Sequence, residues 1–394
     1  MLQWAALTGL LALFAAIPGH TATGWHFFVV GAQLMFGGGP RGGPGGGIHT
    51  YAGTPELQSG PLSYLLAWPA VAAPGRTGRL PVMVLTLAAG LLVIGLVTAM
   101  AGTRSPRRTR FVAAACLAPA WVDLAWRSAH LDDVLAMTLT VAAVATRLRG
   151  RFVATSVLLA LAVDAKPWAV VFLVLLLPAG RGQEPAARGG ETGRRELWRR
   201  SASAFAIAGA LLAVAWLPFV LGDTHTVAAL RAFTIPNDFD SGLRALGITD
   251  PRTPGWVRPV QGALGIGLGA VAMLRGRVWA VPLIGIATRL AIDPGAHDYY
   301  TAGVLVSALL ADAVGGLWRG PWASLTALVL IWAPTHVLPL VPTTLLPAAG
   351  VTYGAVKLLV LAVLTALVLL RGRPGPRLVR GAPATRPGDA PLSS

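Results

Sequence analysis

Twelve apolar stretches follow one another through almost the whole chain, and only short polar or arginine-rich segments separate most of them. They lie at residues 3–19, 80–102, 111–126, 131–146, 152–164, 167–179, 201–221, 259–274, 278–292, 299–317, 321–341 and 350–370. A spanning helix needs about 20 apolar residues, fewer where flanking side chains snorkel or the bilayer thins. The pattern predicts an all-α polytopic integral membrane protein with about 12 transmembrane helices over residues 1–370. The first stretch reads as a retained span, because no basic residue precedes it and no small-residue cleavage site follows Pro18-Gly19. The pair between 152 and 179 is short and reads as a broken hairpin. Residues 61–73, led by Pro61, are too short to span and read as a re-entrant or interfacial outer helix.

Composition agrees. Hydrophobic residues make up 55% of the chain and charged residues 12%, against roughly 25% charged in a soluble domain, and the mean hydropathy is +0.65. The net charge of +16 therefore calls for a membrane explanation. Basic patches that bind nucleic acid sit in polar, soluble modules, so no nucleic-acid partner is expected. The lone Cys116 lies in an apolar run and reads as a small buried hydrophobe. No Cys-x-x-Cys or His-x-x-x-His spacing supports a dedicated metal site, and no cofactor is expected. The glycine-rich stretch from Gly37 to Gly47 lacks the Gly-Lys-Ser/Thr ending of a phosphate-binding loop.

The arginines set the expected orientation. Clusters at Arg104/Arg107/Arg108/Arg110, Arg147/Arg149/Arg151, six positions between 181 and 200, Arg275/Arg277, Arg319 and five positions from Arg371 to Arg386 fall on one side if the spans alternate. Short cytoplasmic loops are enriched in Lys and Arg. The expectation is a multi-pass protein of the plasma membrane with both termini cytoplasmic. A first outer loop then covers 20–79, a second large one 222–258, and residues 371–394 form a disordered basic cytoplasmic tail. Eleven of the sixteen acids and all seven histidines fall on the outer side, so chemistry is expected there.

Charged groups at span ends are costly unless they are paired or line a wet cavity. The densest group is Asp123, Arg127, His130, Asp132 and Asp133, at a turn between two spans. It reads either as helix capping or as a site; His130 with the two neighbouring carboxylates is also a weak signal for a divalent cation. Asp164-Ala165-Lys166-Pro167 interrupts an apolar run. Its Asp and Lys either neutralise each other or present Lys166 to a phosphate, for which Lys and Arg supply most of the affinity. Arg289 precedes Asp293-Pro294-Gly295-Ala296-His297-Asp298-Tyr299-Tyr300, a turn that either caps a helix at the aromatic belt or offers hydrogen bonds to sugar hydroxyls or a pyrophosphate. In the first outer loop, the aromatic run Trp25 to Ala32 suits an interfacial helix. Glu56 and Gln58, with His49 and Tyr51, are harder to explain as padding.

The order of these features resembles the polytopic GT-C glycosyltransferases, in particular the actinobacterial mannosyltransferase-like branch that uses polyprenyl-phosphate sugars. The resemblance covers roughly residues 1–180 and rests on four features. These are the aromatic segment Trp25 to Ala32, the Tyr-x-x-x-Pro-Glu-Leu-Gln-x-Gly-Pro-Leu run from Tyr51 to Leu62, His130-Leu131-Asp132-Asp133, and Asp164-Ala165-Lys166-Pro167, with a weaker echo at Asp293 to Tyr300. It implies transfer of a hexose, mannose first, from a lipid-linked donor to a cell-envelope glycan or glycolipid on the outer leaflet, usually with inversion. It also implies an acid of the first outer loop as general base. Where family members carry that acid, this chain has Thr23-Gly24-Trp25-His26, so Glu56, the Asp132/Asp133 pair or His26 would have to serve. Arg127, His130, Asp164, Lys166, His297, Asp298 and Tyr299 are the corresponding candidates for substrate binding, with membrane lipids as surroundings.

Two other classes remain open. A twelve-helix secondary transporter is suggested by the basic loop after the sixth span, but transport calls for charges at the bilayer midplane, and Asp312 alone is deep within a span apart from Lys357. A non-catalytic envelope-assembly protein is the third reading.

Overall fold

The computed structural model describes residues 2–17, 22–37, 46–73, 78–180, 190–295 and 297–374. Most of the glycine-rich stretch, the loop at 181–189 and the basic tail beyond 374 lie outside the described residues. Helix occupies each of the apolar stretches read from the sequence, and among the described residues the sole β feature is an isolated bridge between Pro236 and Arg252. Among the described residues five helices are long and apolar enough to cross a membrane: Arg79–Ala101, Glu191–Gly222, Val257–Leu274, Trp322–Leu340 and Leu346–Leu370. Shorter apolar helices include Leu2–Ala16, Pro61–Ala72, Phe152–Ala165 and Pro167–Leu176. Large apolar side chains such as Leu85, Val214 and Leu359 are exposed on the long helices, as a lipid-facing surface requires.

Two helices sit at the centre. Thr301–Leu310 is buried at every residue, and Leu131–Leu148 buries thirteen of its eighteen, Asp132, Asp133 and Arg147 included. Charges on these helices therefore face protein rather than lipid, the arrangement in which intramembrane charge is tolerable. Asp312, the acid deep in a span, lies in the Ala311–Gly315 turn that continues from Leu310 and is buried in the same way. Its two oxygens accept the backbone N–H groups of Ala323 and Ser324 at 3.1 and 2.8 Å. It thus caps the start of the Trp322–Leu340 helix, whose first N–H groups have no intrahelical acceptor.

The arginine-bearing ends meet one another. Arg104 donates to the Pro374 carbonyl, Thr109 to that of Arg319, and Arg277 to those of Val368 and Leu369. Gly180 N–H donates to Met273. The acid- and histidine-rich segments gather at the opposite ends of the same helices.

Pro167 explains the break in the short pair. It lacks an N–H and drives the preceding residue out of the helical region, and Lys166 is accordingly extended at φ −144° and ψ 108°. The following ten residues form a 3₁₀ helix, Pro167–Leu176, which at about 2.0 Å per residue reaches roughly 20 Å, farther than an α-helix of the same length. Arg147 closes its far end by donating to the carbonyls of Leu175 and Leu177 at 2.8 and 2.9 Å.

The segment 222–258, expected as a second outer loop, is partly buried in the bundle. Ser241 and Leu243 are fully buried, Gly242 lies against the Ala291 carbonyl, and Gly350 and Gly354 make room for Phe239 and the Ser241 backbone. Lys357, one turn further along the same helix, donates to the Asp240 carbonyl at 3.3 Å. The charge that the sequence leaves isolated inside the last span thus anchors a loop that descends between helices.

Candidate functional site

At the end of the bundle away from the arginine clusters lies a cavity of about 720 Å³. Its position depends on how the segment 51–63 is tied down. The Tyr51 hydroxyl donates to the Ser59 carbonyl at 3.0 Å. Gly60 N–H and Ser63 Oγ both donate to the Ala165 carbonyl at 3.0 Å. Only glycine fits at position 60, because a Cβ there would collide with the Asp164 carbonyl. These bonds lay the loop over the Lys166 break and hold Glu56 and Gln58 at the cavity wall.

Beneath the loop, Asp132 is the hub. Ser59 Oγ donates to its Oδ2 at 2.6 Å, the Lys166 ammonium is ion-paired with that oxygen, and Asp133 N–H donates to Oδ1 at 2.9 Å. His130 Nδ1 lies 3.6 Å from Oδ1. Asp133 is 3.4 Å from Lys166, accepts Trp168 Nε1 at 3.1 Å and lies 3.9 Å from Arg289. Arg289 in turn reaches Asp293 at 3.4 Å and is sandwiched between the Trp168 and Tyr300 rings at 4.5 and 4.4 Å. Cation–π contacts of this kind strengthen when desolvated, so Arg289 is fixed on all sides.

Two charged groups of the cavity stand outside this network. Glu56 is exposed and has no ion-pair partner among the described residues. Arg258, from the start of Val257–Leu274, donates to Gln58 Oε1 at 3.3 Å and makes no ion pair among the described residues, with the Asp293 carboxylate and the Arg289 guanidinium acting on it from farther off. The walls between them are aromatic and aliphatic, with Phe27, Phe28, Val170, Val171, Phe233 and Ile235. His130 stacks on Tyr299 with centroids 3.9 Å apart, and His297 stacks on the same ring at 5.3 Å.

Of the residues singled out from the sequence, Glu56, His130, Asp132, Lys166, His297 and Tyr299 line the cavity, and Asp133 stands directly behind Lys166. The others do not line it. His26 is exposed, packed on Phe27 at 3.8 Å, with Nδ1 3.1 Å from the Thr23 carbonyl. Asp164 interacts with the Leu62 backbone under the loop. Arg127 is paired with fully buried Asp123 at 2.7 Å, whose other oxygen accepts Trp332 Nε1 at 2.6 Å and faces His336 at 3.2 Å. Asp298 accepts the Tyr299 N–H at 2.8 Å and approaches that second group.

Two sets of ligand-type atoms lie within 4.8 Å of one another, His130/Asp132/Asp133 and Asp123/Asp298/His336. In the first, the Lys166 ammonium already supplies the positive charge between the carboxylates, and a divalent cation would have to displace it. In the second, Asp123 is saturated by Arg127, Trp332 and His336.

Sequence reasoning missed Arg258 and Gln261, and it left Trp168 unremarked. Arg289 and Asp293 were readable as an i, i+4 pair of opposite sign on one helix end, but their junction with Asp133 depends on packing between distant segments. Comparison with known proteins brings no match: no family model, no curated protein and no solved structure matches the chain.

Proposed function

We propose that the protein is a membrane glycosyltransferase that moves a hexose, mannose first, from a polyprenyl-phosphate donor to a cell-envelope glycan or glycolipid. In this reading the chain crosses the plasma membrane twelve times with both termini cytoplasmic, and the cavity opens outward. The observation that carries it is the pairing pattern: in one cavity of about 720 Å³, Glu56 and Arg258 are the acid and the arginine that make no ion pair among the described residues.

Glycosyl transfer needs both kinds of group. Glu56 takes the proton from an acceptor hydroxyl as its oxygen attacks the anomeric carbon. The bond from that carbon to the phosphate oxygen breaks, the phosphate leaves with the electron pair, and Arg258 stabilises the developing charge. Attack opposite the leaving phosphate inverts the anomeric centre. Asp132 suits the base role less well, since both of its oxygens are engaged; it positions Lys166 and Ser59. Lys166, held between two carboxylates, contributes little net charge to a phosphate. The apolar wall of Phe27, Phe28, Val170, Val171 and Phe233 fits the first isoprene units.

Secondary transport is less well supported, because the two charges deep within spans are occupied: Asp312 caps a helix and Lys357 holds a loop. The test is incubation of membranes carrying the wild type, Glu56→Gln or Asp132→Asn with radiolabelled polyprenyl-phosphate mannose. The wild type should label glycolipid and Glu56→Gln should not. Equal labelling in every variant and in a deletion strain would remove the enzyme reading.

A further inference from the structure

The opposite end of the bundle holds a second, smaller cavity of about 200 Å³ between the first helix and the helices Arg79–Ala101 and Arg107–Val122. Its walls are Trp4, Leu7, Ile94 and Phe111, and Arg107 and Arg110 reach into it. The Arg107–Val122 helix begins after Pro106 with no side-chain cap and no acid in its first turn. Its first N–H groups carry the positive end of the helix dipole, where cations are unfavourable and anions are favoured. Arg104, Arg107, Arg108 and Arg110 crowd around this end nonetheless. Arg107 and Arg110, three residues apart, share a face and repel each other.

Little in the protein relieves that charge. Arg107 Nε donates to Gln3 Oε1 and Arg110 Nη1 to the Gly102 carbonyl, each at 2.7 Å. Arg110 Nε is buried with no hydrogen-bond acceptor. No ion pair joins either guanidinium to a carboxylate among the described residues. Two convergent forks with unused donors, beside a helix N-terminus, make a phosphate site. The apolar walls decide the source. Trp4 is 43% exposed, and an indole at the helix end is the side chain expected at headgroup level.

We infer that this cavity binds the headgroup phosphate of an anionic phospholipid from the leaflet facing the arginine clusters. The inference needs only that the chain is membrane-embedded and is independent of glycosyl transfer. Lipid glycerol and acyl carbons cover Trp4 and Phe111 while the phosphate takes the free N–H groups of Arg107 and Arg110.

The full chain in detergent micelles is titrated with dioctanoyl phosphatidylglycerol, dioctanoyl phosphatidylcholine and inorganic phosphate, and bound adducts are counted by native mass spectrometry. Phosphatidylglycerol should bind about tenfold or more tighter than phosphatidylcholine. Arg107→Ala/Arg110→Ala should abolish the preference, Trp4→Ala should weaken lipid binding with all charges intact, and Arg149→Ala/Arg151→Ala, in another basic loop, should keep it. Equal binding of the two lipids, or a preference that survives loss of Arg107 and Arg110, overturns the proposal. Inorganic phosphate binding as tightly as phosphatidylglycerol, with no effect of Trp4→Ala, would make it a free-anion site and overturn the lipid assignment.

Discussion

Lys166 and Asp132, 34 residues apart in sequence, form a direct ion pair, and the carboxylate oxygen they share also accepts the Ser59 hydroxyl at 2.6 Å. One interaction thus joins the break after Phe152–Ala165, the start of Leu131–Leu148 and the loop that carries Glu56. A pair this buried is costly to break from one side, because the remaining charge stays behind without compensation.

Lys166→Met should therefore destabilise the protein by about 3–5 kcal/mol, leaving Asp132 and Asp133 facing each other. Lys166→Met/Asp132→Asn should recover part of that loss. Denaturant unfolding in micelles checks both values. A single variant within about 0.5 kcal/mol of the wild type would show that the pair is not structural.

Arg258 and Arg127 should behave in opposite ways. Arg258 is exposed and makes no ion pair among the described residues, so Arg258→Ala should leave stability within about 0.5 kcal/mol and lower kcat/KM for the lipid-phosphate donor about tenfold or more, with a fall in kcat. Arg127→Ala strips one donor from fully buried Asp123, so it should cost about 2–3 kcal/mol with the folded fraction still active. Unfolding and initial-rate measurements on the two variants separate these outcomes.

Apolar runs made the helices legible, since burial in lipid or protein demands them whatever the tertiary arrangement. The Lys166 break was legible too, because Pro167 acts on its immediate neighbour. Arg258 was not: nothing local distinguishes it from an orienting arginine at a helix end, and its role rests on Gln58, 200 residues away. Asp123 and Trp332 are likewise joined across 209 residues. The buried loop did leave a trace. Gly350, Gly354 and Lys357 lie at i, i+4 and i+7 of one helix, a face with room for a backbone and a donor to hold it.

Gly354→Leu should expel that loop. Ser241 is fully buried against it, and the native Cys116 is buried. A Ser241→Cys protein should resist a soluble maleimide, and adding Gly354→Leu should make it react. Rapid labelling of Ser241→Cys alone would place the loop outside.

The segment that begins at Gly47 has its own acid-sensitive latch. Hydrogen bonds from the His49 ring, 2.8 Å away, and from the His225 backbone N–H hold Asp223 below its ordinary carboxylate value. A carboxyl group with a lowered folded-state value stabilises above its unfolded value, and that contribution is lost as pH falls through the folded one. The hydrogen-exchange protection factors of residues 47–53, relative to the intrinsic rate at each pH, should thus be high at neutral pH and fall below the ordinary aspartate range, and Asp223→Asn should show low protection at both.

The central claim is that Glu56 and Arg258 act on a polyprenyl-phosphate sugar in the cavity they share. The most direct measurement is transfer of label from polyprenyl-phosphate mannose to a glycolipid acceptor by purified protein in lipid vesicles, comparing the wild type with Glu56→Gln and Arg258→Ala at matched folded concentrations. Transfer by the wild type, its loss in Glu56→Gln and a reduced rate in Arg258→Ala that high donor concentration does not fully restore are the predicted results. Absence of transfer by the folded wild type, or transfer indifferent to both substitutions, would contradict the account.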